Sequence, residues 1–495
     1  MLVRLLWIIA AGLAAVAGAV VIKTVSTPSR QIDLPAVPAI AVDQDGAADR
    51  LAGAVRIRTI STEQSPGAGA QELAKLHLHL QASYPNAHRV LKRELVDGYS
   101  LLYAWVGSKP EDKPMLLMAH QDVVPIAPGT ESAWQHPPFE GVRKDGFVWG
   151  RGAWDDKGNL IAQMEAVEML AAGGFRPERT IYLAFGHNEE TSGRGAKAIA
   201  ELLKSRGVKL DFVIDEGLLI TEGMLPGISK PVALIGIAEK GNLSVQLRTT
   251  ATPGHSSMPP PPGSSAIAMM STALNQIETN RFPGAIRGVA REMLETLAPE
   301  MRGFGRVALS NLWLFEPVVR RQLEAGASTN AMLRTTTALT VINAGNKENV
   351  LPGIADATVN FRLLPGDTMD SVVTRVKALV GHAKVEVKPL PGGSNPSAIS
   401  PTQSSSYQRI NRTVRELFPG TVVAPGLMIG ATDSRHFEGI SDHIYKFSPV
   451  RAKPEDLSRF HGTDERISET NLVELIGFYH RLLLQGAGAR DTATK

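Results

Sequence analysis

Short apolar runs that end in acidic or histidine-bearing motifs restrict the fold of this chain more than any other feature. Pro114 to Ala119 leads into His120-Gln121-Asp122. Thr180 to Phe185 leads into a segment ending in Glu189-Glu190, and Leu210 to Ile214 leads into Asp215-Glu216-Gly217. Uncharged runs of this length read as buried strands of a largely parallel sheet. Between the first two, Leu160, Met164, Val167 and Leu170 recur at helical spacing, and Gly173-Gly174 marks the stop. A second helix fits Gly195 to Ser205, closed by Gly207. Strand and helix in alternation mean an α/β layered domain, with its ligand site at the carboxyl ends of the strands. The acidic motifs stand at those ends, which predicts one shared site.

The rest of the chain divides around this core. At 495 residues it exceeds one ordinary core. After Arg4, residues Leu5 to Ile22 carry no charge and no strongly polar group, and Lys23 ends the run. A signal-peptide core is about 7–15 residues and a membrane-spanning helix about 17–25. Residues 1–23 therefore read as an uncleaved membrane anchor, with Ala17-Gly18-Ala19 leaving a cleaved signal segment as the second reading. Both readings place the catalytic part outside the cytoplasm: periplasmic, lumenal or extracellular, membrane-anchored or secreted if cleaved. Residues 24–46 hold several prolines and suit a linker. Residues 47–239 form the first part of the catalytic domain. From Lys240 the texture changes: Asn242 to Thr250 alternates apolar and polar, as a half-exposed strand does. Residues 240–390 read as an inserted α+β domain with an antiparallel sheet and a helix over Ser264 to Glu278. Residues 391–485 resume the catalytic layer, with a helix over Tyr407 to Leu417 and a strand over His443 to Phe447. Residues 486–495 read as a disordered tail.

A net charge of +3 without a dense Lys/Arg block argues against nucleic acid. Cys is absent, which excludes disulfides and a thiol nucleophile and leaves the compartment open.

The motifs have the composition of a metal site. Zinc accepts imidazole nitrogen and carboxylate oxygen, and two histidines with three carboxylates suit a pair of zinc ions. His120 and Asp122, two apart at a strand end, point to one side; His120 would bind metal while Asp122 holds the other ring nitrogen. Asp155, in Asp155-Asp156-Lys157-Gly158, would bridge two ions, although acids at this position also suit a helix cap. Glu190 would be a ligand, and its neighbour Glu189 the base that takes a proton from water. Either Asp215 or Glu216 would complete one ion, Asp215 being preferred. His461, before Gly462, would supply the last ligand.

The whole constellation resembles the aminoacylase / carboxypeptidase S family of co-catalytic zinc metallopeptidases, over about Ala47 to Leu484. Ser310-Asn311-Leu312-Trp313-Leu314-Phe315-Glu316-Pro317 and Arg334-Thr335-Thr336-Thr337 resemble the branch with yeast carboxypeptidase S and the secreted N-fatty-acyl-amino-acid synthase/hydrolase. The resemblance implies a zinc-peptidase-like, mostly parallel sheet flanked by helices with an inserted lid or dimerisation domain. It implies two zinc ions per subunit: His120 and Asp215 on one, Glu190 and His461 on the other, Asp155 bridging, and a cis peptide after Asp155. It also implies Glu189 as base and His255, in Pro253-Gly254-His255-Ser256-Ser257, as a lid histidine that stabilises an oxyanion, in some members across a homodimer. Asn349, Arg362 and Arg435 match positions that meet the substrate and its carboxylate.

Three functional readings follow. The first is a carboxypeptidase that cleaves the amide bond of a short peptide next to a free-carboxylate amino acid. The second is hydrolysis or synthesis of N-acyl, including N-fatty-acyl, amino acids at the same site. The third is a membrane-tethered non-catalytic binding protein, which the complete set of metal and base positions argues against.

Overall fold

Met115–His120 has all six side chains buried, which requires cover on both faces. Met115, Leu117 and Ala119 enter one core with the helices Gln44–Val55, Lys157–Ala172, Ser405–Leu417 and Glu469–Ala487. Leu116 and Met118 enter a second core with the helix Arg194–Ser205. The period of two in the strand thus divides its side chains between two helical layers. In this computed structural model, residues 1–62, 69–225, 227–381 and 384–488 are described.

The central sheet has eight strands. Their order is Lys92–Val96, Ser100–Trp105, Ile181–Gly186, Met115–His120, Phe212–Thr221, Ile444–Ala452, Val232–Glu239 and Val422–Met428. Met115–His120 runs parallel to both neighbours, and Ile444–Ala452 runs parallel to Phe212–Thr221. The first two strands are antiparallel to each other and to Ile181–Gly186, and Ile444–Ala452 meets Val232–Glu239 antiparallel. The sheet is therefore mixed, where the sequence suggested a mostly parallel one. The first hairpin explains part of this: Val96 pairs with Ser100 across a three-residue turn in which Asp97 and Gly98 both take positive φ, 49° and 83°, a short connection that joins antiparallel strands without a crossover helix. The parallel centre is what positions the site, because His120 pairs with Gly186 and brings the two strand ends level.

The helix stops expected from glycine are present. Lys157–Ala172 ends before Gly174, at φ 75°, and Arg194–Ser205 before Gly207, at φ 71°. A second, four-stranded antiparallel sheet is ordered Thr336–Ala344, Ile354–Leu363, Gly241–Thr250, Val385–Pro389. Gly241–Thr250 alternates buried with half-buried or exposed positions along its length. Its buried face packs against the helices Ala266–Thr279, capped by Ser265, and Met369–Val380, capped by Thr368. The helices Gly288–Leu297, Gly303–Ser310 and Leu312–Glu324 lie in the same stretch of sequence but pack elsewhere, on Val232, Val422 and Ala424 of the catalytic sheet.

The N-terminal helix Leu2–Ser26 buries no residue and has a mean hydropathy of 2.6 over its most apolar window. The segment after it follows the molecule without helix or strand. Gln31 exchanges two hydrogen bonds with the main chain of Val423, and Val37 N–H donates to the Glu416 carbonyl. The last helix runs to Ala487, into the tail expected over 486–495, and residues 489–495 of that tail lie outside the described residues.

Candidate metal centre and active site

Two strand ends, the irregularity within Phe212–Thr221, the segment before the helix Lys157–Ala172 and one late loop converge on a cluster of acids around two histidines. His120 closes its strand and is 2% exposed. Its Nδ1 lies 3.0 Å from the Asp122 main-chain oxygen and 3.4 Å from Asp122 Oδ1. Both are acceptors, so Nδ1 carries a proton, and Nε2 is the nitrogen turned toward the other acids. Nε2 lies 3.0 Å from Asp155 Oδ1 and 3.5 Å from Glu216 Oε1. Asp122 is buried and organises more than the histidine. It accepts hydrogen bonds from the Glu189 and Glu190 main-chain N–H groups at 3.1 and 3.2 Å, and from the Ser61 hydroxyl at 2.6 Å.

Asp155 stands between the two histidines. Its Oδ2 lies 3.1 Å from His461 Nε2, which is also 3.1 Å from Glu190. The Asp155–Asp156 peptide bond is cis, as the family resemblance implied. His461 has φ 54°, a left-handed conformation that costs a non-glycine residue about 1–3 kcal/mol and recurs at functional sites. A residue passed over in the sequence holds this half together. Glu465 is fully buried; its Oε1 accepts from the N–H groups of Gly152, Trp154 and Asp155, and its Oε2 pairs with Arg151 at 2.7 Å. Its signal in the sequence was only its place four residues after His461.

The expected ligand Asp215 is turned away from the cluster. Its two oxygens accept from the Glu216 and Ser434 main-chain N–H groups at 3.0 and 2.9 Å. Glu216 takes the place beside His120, so the preference for Asp215 over Glu216 is corrected. The cause is local. Asp215 pairs with Lys446, the next pair is Leu218 with Phe447, and Gly217 within this irregularity takes φ 146°. A bulge of this kind re-aims side chains next to an active site, and alternation alone does not reveal it. Two overlapping groups of donor atoms result, each within 4.8 Å: His120, Asp155 and Glu190, and His120, Glu189 and Glu216.

The electrostatics favour a cation. Burial and then the Asp433 charge push the Glu189 carboxyl well above the usual range. Burial and Asp155 push Glu216 up to about 8. Burial acts against the Asp155 charge, but hydrogen bonds from His120 and His461 overcome it and hold that carboxyl below the usual range. The same contacts with Asp155 and Glu190 push His461 up to about 10. Crowded carboxylates around two imidazoles retain protons that divalent ions would displace. The imidazole and carboxylate donors are the types zinc accepts.

The residues expected to meet the substrate fall into two sets. Arg362 and Arg435 come together: burial and then the Arg435 charge lower Arg362, and burial and then Arg362 push Lys240 down to about 8. The Lys240 ammonium is already held by the Ala331 and Arg334 carbonyls, each at 2.9 Å, and the buried Glu239 interacts with Arg435. Asp433 lies close by, buried, and neither oxygen accepts a hydrogen bond among the described residues. Burial and Asp215 push its carboxyl up to about 7. A Cβ on Gly186 would come within 2.6 Å of Asp433 Oδ2, so the small residue at the strand end makes room for that acid. His255 and Asn349 are different. They lie on or beside the two-stranded ribbon of Gly254–His255 and Val350–Leu351, both exposed, and the nearest polar partner of His255 Nδ1 is Ser257 at 2.8 Å.

Known proteins identify the family. Residues 116–485 match peptidase family M20/M25/M40. The chain is 41% identical over 441 residues to the N-fatty-acyl-amino acid synthase/hydrolase PM20D1 of Xenopus tropicalis, covering 88% of this chain and 85% of that protein. It is 39% identical over 441 residues to the probable carboxypeptidase S-like 2 of Dictyostelium discoideum, covering 88% and 84%. Among solved structures, the M20 family metallo-carboxypeptidase Sso-CP2 from Sulfolobus solfataricus superposes with a TM-score of 0.63 at 18% identity, over 90% of this chain and 99% of that one. Human carnosine dipeptidase 1 gives 0.60 at 18% identity, over 89% and 96%. These two show likeness of fold, and the closer sequences show descent. The chain belongs to peptidase family M20/M25/M40 and is a metal-dependent hydrolase of that family.

Proposed function

We propose that this enzyme binds two zinc ions per subunit and hydrolyses the amide bond that joins an acyl group to an amino acid bearing a free carboxylate. The observation that carries the reading is Asp155, whose two oxygens face His120 and His461 at 3.0 and 3.1 Å. One carboxylate placed between two imidazoles is what a bridging ligand requires. His120 and Glu216 would hold one ion, His461 and Glu190 the other. Bound there, the ions would supply Lewis acidity toward the scissile carbonyl and lower the pKa of water.

The remaining steps belong to the chain's own residues. Glu189 takes the proton of the attacking water and passes it to the leaving amine. Its raised pKa suits a group that must both accept and release a proton. Asp122 keeps His120 in the tautomer that presents Nε2 and fixes the backbone on which Glu189 stands. Arg435 and Arg362 bind the substrate carboxylate, which selects the bond next to a free carboxyl terminus. His255 and Asn349 complete the site when the lid, from this subunit or from a second copy in a homodimer, closes over the substrate. His255 then donates to the developing oxyanion.

The acyl group is either peptidyl or a fatty acyl chain. The relatives named for N-fatty-acyl amino acids, at 41% identity, support the second. The N-terminal helix acts as a membrane anchor that keeps the catalytic part outside the cytoplasm. The test is hydrolysis by the full chain of dipeptides and N-acyl amino acids of rising acyl length, with chelator and with added zinc. Chelator-sensitive turnover that requires a free carboxylate and rises with acyl length is expected. Equal turnover of amidated substrates would remove the arginine assignment, and turnover insensitive to chelator would remove the metal centre.

A further inference from the structure

The helix Leu312–Glu324 is apolar on two opposite faces. Leu312, Phe315, Val319 and Leu323 turn into the core shared with the catalytic sheet. Trp313, Leu314, Pro317 and Val318 lie on the other side, and Trp313, Leu314 and Val318 are 53%, 41% and 55% exposed. Phe304, on the preceding helix Gly303–Ser310, is 63% exposed and packs edge-on against Phe315 at 5.6 Å. A contiguous exposed apolar face of this kind marks an interaction surface.

What covers it follows from its neighbour. The carboxyl end of the N-terminal helix packs against Gly303–Ser310. The fully buried Asn311 side chain donates to Thr24 Oγ1 at 2.9 Å and points to the Val20 carbonyl at 3.3 Å. Val20, Thr24 and Thr27 are the partly covered positions there, at helical spacing. The contact therefore falls at the last turns of the apolar helix, around Lys23, the level at which a spanning helix leaves the hydrocarbon for the headgroups. Trp313 has the residue type suited to that level: its ring is exposed while its Nε1 donates to Asn311 Oδ1 at 3.2 Å. The same two helices and their flanks carry Arg302, Arg306 and Arg321, which suit anionic headgroups, beside Glu316 and an Arg320 that pairs with Glu324.

We propose that the surface formed by Phe304, Trp313, Leu314 and Val318 sits in the interfacial layer of a lipid bilayer beside the N-terminal helix, as a second membrane contact of the catalytic domain. This rests on the reading of Leu2–Ser26 as an anchor. Asn311 clamps the two contacts into one unit, so the domain is held close to the bilayer instead of swinging on a free tether.

The absence of cysteine makes the test direct. Single-cysteine variants of the full chain, Ile9→Cys, Phe304→Cys, Trp313→Cys, Val318→Cys and Leu78→Cys, are spin-labelled and placed in phosphatidylcholine/phosphatidylglycerol vesicles. Leu78 is an exposed apolar residue on the helix Ala70–Ser83 and serves as the aqueous reference. Accessibility to oxygen relative to a water-soluble nickel chelate reports depth, and retained amide hydrolysis reports that each variant is folded. Labels at Phe304, Trp313 and Val318 are expected to show a ratio severalfold above that at Leu78 and below that at Ile9. If these three match Leu78 while Ile9 reads as bilayer, the anchor stands and the second contact is overturned. If Ile9 itself reads as aqueous, the anchor reading fails and the proposal falls with it. Three reporters on one surface mean that misfolding of a single variant does not remove the test.

Discussion

His120 and His255 both lie at the end of a strand, yet they live in opposite regimes. His120 is 2% exposed, and each of its ring nitrogens faces a defined partner. His255 is exposed on a two-stranded ribbon with Ser257 as its nearest partner. The first is fixed by a sheet buried on both faces, by Asp122 behind it and, across Asp155, by Glu465. The second is held by a short pairing with Val350–Leu351 that offers little burial. On the proposed function, a metal ligand on a rigid layer and an oxyanion donor on a lid would divide the work. The first region would keep its geometry through every cycle, and the second would acquire its role only when substrate brought the lid down. Replacing residues in each region should separate these behaviours.

The largest effect is expected at Glu189. Glu189→Gln removes the proton acceptor while keeping the main-chain N–H that binds Asp122. Turnover should fall by about 10²- to 10⁴-fold, the range for loss of a positioned general base. Metal content and melting temperature should stay close to wild type, because the backbone contact, the His120, Asp155 and Glu190 group and the Glu216 carboxylate beside His120 are untouched, and the Glu189 site would lose only one member of the second group. Elemental analysis of the purified variant beside its steady-state rate checks both halves. A variant that turns over at the wild-type rate would show that another group takes the proton.

His255→Ala should come next and reads out the lid. The side chain is exposed, so its removal should leave the melting temperature and the metal content unchanged. If it meets the oxyanion on closure, kcat should fall by about 10²- to 10³-fold, with little change in KM. Mixing this variant with Glu189→Gln distinguishes the source of the histidine. Recovery of activity in the mixture would mean that one subunit supplies its lid to the other's base. No recovery would mean that each chain closes on itself. Neither outcome is open to a residue of the buried cluster, and that is what sharpens the contrast between the two regions.

The same contrast governs what was legible in the sequence. The layered domain, the positions of the two long helices and the parallel pairing at the centre follow from apolar runs and glycine stops, because burial on both faces leaves a strong compositional trace. The cluster was legible for the same reason, since acids directly after buried strands have one place to go. Two of its members were not. The choice between Asp215 and Glu216 depended on a bulge beside Gly217, which follows from the register of a strand more than two hundred residues later. Glu465 was invisible as a function because an acid in a loop looks solvated until the fold buries it against Arg151. Similarly, the helices between Gly288 and Glu324 read as part of the lid by position. Only tertiary packing assigns them to the edge of the catalytic sheet.

Asp122 gives the smallest of the expected effects and the most discriminating one. Its carboxylate accepts from two main-chain N–H groups and from Ser61, and it lies 3.4 Å from His120 Nδ1. Asp122→Asn keeps the shape but turns an amide NH2 toward at least one of those donors, so the loop bearing Glu189 and Glu190 should loosen. The histidine itself should not lose its tautomer. The Asp122 main-chain oxygen, at 3.0 Å from Nδ1, survives the substitution and still takes that proton. The expected loss is therefore that of an outer hydrogen bond, about 10- to 100-fold in metal affinity, and not abolition of the site. Competition with a chelator of known strength measures it. If affinity instead collapsed to the level of a variant lacking His120, the carboxylate and not the carbonyl would be what orients the ring. If it did not change at all, the rigidity assigned to this half of the site would come from the strands alone.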